Sequence, residues 1–332
     1  MPDTDHYHGF VRASDGAVRP LPDDDAAIRS ALADPANLVW IDLIISGEDD
    51  ARVLASAFDF HPLTIEDCVS SHIDPAKIDD YQRYLFIVVQ AITEYRPDRE
   101  IGVEEVQFYL GPNYVVSCRH NRVPAIDKFL ERGERCELLL AKTADWALHA
   151  LLDSLVDDFM PIVDALDETI DSLESEVLDH AEERLLQGIL IAKRNSLRLR
   201  RATTPQRDIM NRLSRNEFPL LVRPETGIYF RDVYDHLVRI EYLIEALRDL
   251  SDAALQTYLS VVSNRLNEIM KVLTAGGAIF FPLTLISGIY GMNFADNQLP
   301  PFDWEWGFPV TIVAMAIIAV ALLAYFRHRR WI

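Results

Sequence analysis

The sequence predicts an α/β domain followed by long helices and two transmembrane helices, and three observations carry that prediction. Runs rich in Val, Ile, Phe and Tyr are confined to residues 1–140. From about residue 143 the apolar side chains recur at helical spacing. The last sixty or so residues then hold two long stretches without a charged side chain.

Residues 1–140 mix strands with short helices. Leu38–Leu43, Tyr84–Ile92, Val103–Leu110 and Tyr114–Cys118 have strand composition, and Glu48–Phe58 and Pro62–Val69 have helical patterning. The runs do not determine a strand order. Asp42, His61, Glu66, Asp67 and His72 are ligand-type residues here, and the plainer expectation for them is helix caps and solvated surface. No nucleophile–base spacing, Gly-rich phosphate loop or HExxH occurs, so an enzyme, and a transport ATPase in particular, is not expected. Cys68, Cys118 and Cys136 form no CxxC pair and suit a reducing compartment rather than a disulfide framework or a zinc site. The N-terminus, Met-Pro-Asp-Thr-Asp, lacks the basic flank and apolar stretch of a signal peptide, so membrane insertion is expected through the C-terminal end.

Residues 141–225 read as a long antiparallel helical hairpin. Between Asp153 and Glu183 stand twelve carboxylates and no Lys or Arg, beside an apolar stripe through Leu155, Phe159, Ile162, Leu166, Ile170 and Val177. Arg184 to Arg215 reverses the sign, with Lys193, Arg194, Arg198, Arg200, Arg201, Arg207 and Arg212. Charge pairing across the hairpin is the expectation; concentrating cations near a membrane is the functional alternative. The net charge of −20 argues against nucleic acid as a partner and mostly reflects a solvated acidic domain.

After Pro224-Glu225-Thr226-Gly227 no proline or glycine appears until Gly276. One helix from Tyr229 to Tyr290 would be ~90 Å long at 1.5 Å per residue, of which a bilayer uses about 30 Å. Residues 226–271 therefore read as a stalk helix in the cytosol, with apolar residues that only other helices can cover, which points to oligomers. Residues 272–294 read as the first span, 295–306 as an external loop, 307–326 as the second span and 327–332 as a basic tail. Arg327, His328, Arg329 and Arg330 follow the second span, whereas the loop carries Asp296, Asp303 and Glu305 and no Lys or Arg. Positive charge stays inside, so both termini are expected in the cytoplasm, with Trp304 and Trp306 at the outer interface and Trp331 at the inner one.

Along one face of this long helix, from the stalk into the first span, runs a stripe at steps of three and four: Gln256, Ser260, Ser263, Asn267, Met270, Thr274, Gly277, Phe281, Thr284, Gly288 and Gly291. It is polar or small where a dry seam would carry Leu and Ile. A water-filled path shared by several copies fits this pattern, and close helix packing is the alternative. Pro282 leaves the Ala278 carbonyl without its helical amide partner.

At Tyr290-Gly291-Met292-Asn293 the sequence resembles the CorA family of magnesium and cobalt channels, whose signature is Gly-Met-Asn at the outer end of the first of two C-terminal spans. The resemblance extends through Tyr229-Phe230-Arg231-Asp232-Val233-Tyr234-Asp235-His236, Ser263-Asn264-Arg265-Leu266-Asn267-Glu268-Ile269-Met270-Lys271-Val272-Leu273-Thr274, Trp304-Glu305-Trp306-Gly307 and Trp331-Ile332. Trp40-Ile41-Asp42-Leu43 and His61-Pro62-Leu63-Thr64-Ile65-Glu66-Asp67 belong to it as well, so that it covers roughly residues 35–332. It implies a funnel-shaped homopentamer in the inner (plasma) membrane that conducts Mg²⁺, with Co²⁺ and Ni²⁺ as further cargo. Gly291, Met292 and Asn293 become the selectivity filter, and Asn267, Met270, Thr274, Gly277, Phe281, Thr284 and Gly288 line the pore. Mg²⁺ bound between subunits at Asp232, with Glu94 as partner, would gate it. Gln256 departs from the family, which often carries Asp at the cytoplasmic mouth. A Zn²⁺ transporter of the same architecture is the nearest rival; a membrane-anchored metal-sensing regulator is the other.

Overall fold

The computed structural model describes residues 6–70, 72–130, 133–292 and 304–331. The chain forms two compact units, Met1–Leu255 and Gln256–Ile332.

The first unit is built on a seven-stranded sheet: β1 (Tyr7–Arg12), β2 (Val18–Pro20), β3 (Leu38–Ile44), β4 (Lys77–Asp80), β5 (Leu85–Glu94), β6 (Gly102–Leu110) and β7 (Tyr114–Arg119). Their order is β2-β1-β3-β7-β6-β5-β4, antiparallel except where β3 and β7 run parallel. The four strands expected from composition are β3, β5, β6 and β7, the middle of the sheet. β1, β2 and β4 lie toward the edges; they are short or partly exposed and carry too few consecutive apolar residues to announce themselves.

The middle strands read as near-continuous apolar runs because both of their faces are covered. Successive side chains alternate between two cores. Trp40, Leu85, Ile87, Val89, Val106, Phe108 and Val115 point into one, whereas Val39, Ile41, Leu43, Phe86, Val88, Tyr109 and Val116 point into the other. The second core also takes residues of α1 (Asp25–Ala33), α2 (Arg52–Ser56) and α3 (Pro62–Val69). The helices α4 (Pro124–Leu130), α5 (Gly133–Leu139), α6 (Ala144–Asp157), α7 (Phe159–Asp179) and α8 (Glu183–Ser214) contribute to the first. So does the beginning of α9 (Pro224–Tyr290), through Phe230, Val233, Leu237, Ile240, Ile244 and Leu247.

Of the ligand-type residues of the sheet region, Glu66 and His72 are exposed and the other three have structural partners. His61 caps α3, its Nδ1 accepting from the Leu63 amide at 3.2 Å, and Asp67 pairs with Lys77 at 2.6 Å. Asp42 is neither cap nor surface. It is wholly buried, where Oδ2 accepts from Arg119 Nη2 at 2.8 Å and Nε at 3.1 Å, and Oδ1 accepts from Ser117 Oγ at 2.6 Å. Arg119 Nη1 also lies 2.7 Å from Asp127 Oδ1. Burial acts to lower the Arg119 pKa, and the two carboxylates outweigh it, leaving the guanidinium's pKa above its ordinary value.

Two expectations for residues 141–225 need correction. The stretch is three helices rather than a hairpin: α6 packs into the sheet's core, and the hairpin proper is α7 with α8. Nor do the charges pair mainly across it. Arg184–Glu176 at 2.9 Å is such a pair, but Lys193 reaches Asp252 at 2.6 Å, Arg207 reaches Glu241 at 2.6 Å, and Arg194 and Arg198 hold Glu100 in the β5–β6 connection. The apolar stripe of α7 faces the core, with Val163, Leu166, Ile170 and Val177 buried. Its carboxylates at Asp164, Asp167, Glu168, Asp171 and Asp179 are exposed.

In the second unit α9 continues to Tyr290, and α10 spans Gly307–His328. Both helices are long and apolar enough to cross a bilayer. Their large apolar side chains are exposed, among them Val272, Leu273, Phe280, Leu285, Ile317 and Val320.

Candidate functional site

Two places combine functional side chains with geometry. The first is the stripe along the part of α9 in the C-terminal unit. Asn267, Met270, Thr274, Gly277, Phe281, Thr284, Gly288, Gly291 and Met292 are all exposed. The less exposed positions of the same stretch, Ala275, Gly276, Ala278, Ile279, Pro282, Leu283 and Ile286, centre on the opposite side of the helix, roughly 160° round from the stripe. The stripe is therefore a separate face, uncovered within one chain.

Two details bear on its chemistry. A Cβ added at Gly277 or Gly288 would meet nothing within 4 Å, so no neighbour in the same chain requires glycine there. Thr284 Oγ1 donates to the Phe280 carbonyl at 2.8 Å. That bond uses the hydroxyl's donor and leaves its oxygen as an acceptor toward the stripe. At the end of the helix the Gly291 amide still bonds Ser287 O at 2.9 Å, and Met292 bonds Ile289 O at 3.3 Å. Asn293 lies outside the described residues, as do Asp296 and Asp303.

The second place lies within the N-terminal unit, where α6 meets the start of α9. His149, Asp153 and Asp157 stand four residues apart on α6; Asp232 and His236 stand four apart on α9. Ring contacts join the helices: Trp146 meets Tyr229 with centroids 4.8 Å apart, and His149 meets Phe230 at 5.6 Å. Ligand atoms of Asp153, Asp157 and His236 all lie within 4.8 Å of one another, and His236 Nε2 is 4.0 Å from Asp232 Oδ2. Burial raises the Asp153 carboxyl's pKa, and the negative charges of Asp157 and Asp232 add to that, while His236 opposes it. Burial lowers the His149 imidazole's pKa, with Asp232 acting against the shift. Carboxylates that disfavour one another's ionisation in this way are a setting that a divalent cation would relieve.

Comparison with known proteins decides the lineage. Residues 35–329 match the family described as CorA-like Mg²⁺ transporter protein. The cobalt/magnesium transport protein CorA of Thermotoga maritima is 38% identical over 301 residues, covering 90% of this chain and 85% of its own. The chain belongs to the CorA family.

A second CorA, from Methanocaldococcus jannaschii, is 22% identical over 297 residues, covering 89% of this chain and 92% of its own. The complete structure of that archaeal magnesium transporter superposes on this CorA-family chain with a TM-score of 0.82, covering 99% of this chain and all of the other at 18% identity. The shared fold comprises the α/β unit, the long helices and the two apolar helices, and this family member is a membrane protein.

Of the residues expected to act in this CorA-family chain, the pore-lining set shares one exposed face of α9. Asp232 and Glu94 are not joined within a single chain: Glu94, at the end of β5, pairs with Arg96 at 2.5 Å, and Asp232 faces His236. The sequence by itself does not mark Asp153, Asp157 and His236 as a group. The four-residue spacings 149-153-157 and 232-236 were visible, but nothing in the sequence says that α6 and α9 face each other.

Proposed function

We propose that this chain forms a passive channel for Mg²⁺, with Co²⁺ and Ni²⁺ as further cargo, assembled as a homopentamer in the inner (plasma) membrane with both termini cytoplasmic. The observation that carries the reading is the exposed polar stripe within an otherwise apolar span. An anchor helix needs no such face, because unsatisfied polar groups toward lipid cost free energy. When copies gather around an axis, this face becomes the wall of a common path. Relatives named as cobalt/magnesium transport proteins support the same cargo.

Mg²⁺ gives up its hydration shell reluctantly, so a path that accepts hydrogen bonds from its waters suits it better than one that strips them. Asn267, Thr274 and Thr284 supply neutral acceptors, and Met270, Phe281 and Gly288 set the width. At the outer end Gly291, Met292 and Asn293 act as the selectivity filter, where a ring of Asn293 amide oxygens receives the first-shell waters. A ring of carboxylates at that point would hold the ion too tightly for release. Gln256 places a neutral ring at the cytoplasmic mouth, so attraction there is weak.

Gating uses a cation between neighbouring subunits, with Asp232 as ligand and Glu94 as its partner across the interface. The crowded carboxylates of Asp153 and Asp157 beside Asp232 supply the repulsion that a bound Mg²⁺ offsets, and its loss shifts the population toward the open state.

The test is Mg²⁺ uptake, against Zn²⁺, into liposomes that contain only this protein. Rapid Mg²⁺ uptake is expected, with Asn293→Gly folded, assembled and inactive. Normal uptake by an assembled Asn293→Gly protein would leave Asn293 as a helix-end residue and remove the filter. Asp232→Lys should raise flux at high internal Mg²⁺; unchanged inhibition would make that site structural.

A further inference from the structure

The C-terminal tail carries charge that the rest of the fold does not use. Arg327, His328, Arg329 and Arg330 are all exposed, and none has an ion pair among the described residues. Six arginines of α8 (Arg184, Arg194, Arg198, Arg200, Arg207 and Arg212) are matched by carboxylates, whereas the tail sets four basic side chains in succession with no such match among the described residues. The tail is not splayed out. The Trp331 amide bonds the Phe326 carbonyl at 3.0 Å, and the Arg330 amide bonds Arg327 O at 3.1 Å. This is a Schellman cap, with its usual apolar contact supplied by Trp331 against Phe326 at 5.5 Å between ring centroids.

The residue in the left-handed position of that cap is Arg330, at φ 56°. Glycine is the residue that fits there without strain; an L side chain pays about 1 kcal/mol or more for it. Local geometry therefore gives no reason for arginine. Arg329, for its part, lies over the Tyr325 ring at 5.8 Å. The turn thus holds three guanidinium groups and the Trp331 indole at the end of a 22-residue apolar helix, the depth at which a bilayer's headgroups begin.

We infer that this capped tail is a docking surface for anionic phospholipid, with Arg327, Arg329 and Arg330 holding headgroup phosphates while Tyr325 and Trp331 sit at the interface. Charge complementarity names the occupant. Unpaired arginines fixed at headgroup depth match a lipid phosphate through paired N–H donors, and each contributes roughly a fivefold gain in affinity, from about 1 kcal/mol per cation at an anionic leaflet. Zwitterionic lipid offers the phosphate but cancels its charge.

Native mass spectrometry of the purified, full-length oligomer, with phosphatidylglycerol or phosphatidylcholine added, tests this without measuring transport. The wild type should retain phosphatidylglycerol preferentially, and R327Q/R329Q/R330Q should lose that preference by on the order of a hundredfold. R327K/R329K/R330K should keep most of it. Equal retention of the two lipids by the wild type, or an unchanged preference in the glutamine variant, overturns the inference. Should the triple variant fail to assemble, R330G decides, since glycine keeps the cap and relieves its strain. It should be at least as heat-stable as the wild type and bind phosphatidylglycerol about fivefold more weakly; unchanged binding overturns the inference. Displacement of the lipid by equimolar inorganic phosphate would also overturn it, in favour of a soluble anion.

Discussion

Arg119 and Ile317 mark a contrast between the two units of this chain. In the N-terminal unit a guanidinium is completely buried between Asp42 and Asp127, under a sheet whose apolar side chains are inside on both faces. In the C-terminal unit Ile317 is 64% exposed, and most of its apolar neighbours on α10 are exposed with it. The same residue types take opposite places because the surroundings differ. In water, apolar area is driven inward and a charge goes inside only with partners; in a bilayer, apolar area faces outward at no cost and polar groups must turn toward protein or a water-filled path. The rim of the C-terminal unit fits this contrast too, since its charges gather at the ends of the apolar helices.

The contrast can be broken most sharply at Asp42. Asp42→Ala leaves Arg119 buried with Asp127 alone and should cost about 3–5 kcal/mol, read as a large fall in the thermal midpoint of the purified protein. A loss under about 1 kcal/mol would mean that water reaches Arg119, which the burial denies.

Next in size is a charge placed on the outer face of α10. Ile317→Lys should cost about 2.5–3.5 kcal/mol of insertion and reduce the share of chain recovered in the membrane fraction. Leu63→Lys, at a comparably exposed apolar position of the N-terminal unit, should change stability by no more than about 0.5 kcal/mol. Equal tolerance at both positions would show that α10 faces water.

A third pair asks what a polar side chain does in each unit. Asn195 is buried on α8, with Oδ1 accepting from the Ile101 amide at 2.9 Å and Nδ2 donating to Arg99 O at 3.2 Å. Asn195→Ala should cost about 1–3 kcal/mol of stability. Thr284→Val removes an exposed hydroxyl and should leave stability within about 0.5 kcal/mol while lowering Mg²⁺ flux into liposomes. Stability loss without flux loss at Thr284 would assign it to packing.

The smallest effect is a pH dependence inside the N-terminal unit. Burial raises the pKa of the Glu105 carboxyl, although the Asp74 amide and the Gln107 side-chain amide bond to it and oppose the shift. The native state therefore holds this proton more tightly than the unfolded chain does. Its contribution is least favourable near neutral pH and improves as pH falls through the raised pKa toward the ordinary carboxylate range. The stability of the wild type relative to Glu105→Gln should rise as the pH is lowered across that range; a flat difference would mean that Glu105 is solvated.

How much of this was legible in advance follows from what each feature depends on. The two spans, the flanking charges, the stripe on α9 and the family were all readable, because hydropathy, periodicity and motif are local properties of the chain. The central strands were readable for the same reason, being apolar on both faces. The edge strands were not, and neither was the burial of Asp42, whose partner Arg119 is 77 residues away and is brought to it by the parallel pairing of β3 with β7. The charge partners of α8 differ from those the sequence predicts, because sign complementarity in sequence says which charges attract, whereas helix packing decides which ones meet. The group formed by Asp153, Asp157 and His236 had the same origin. Spacing placed each carboxylate on a face of α6, and only the packing of α6 against α9 turned that face toward His236. Local periodicity determined the elements of this protein; the close-packed core determined which of their faces came together, since burying the apolar sides leaves the polar ones whatever neighbours remain.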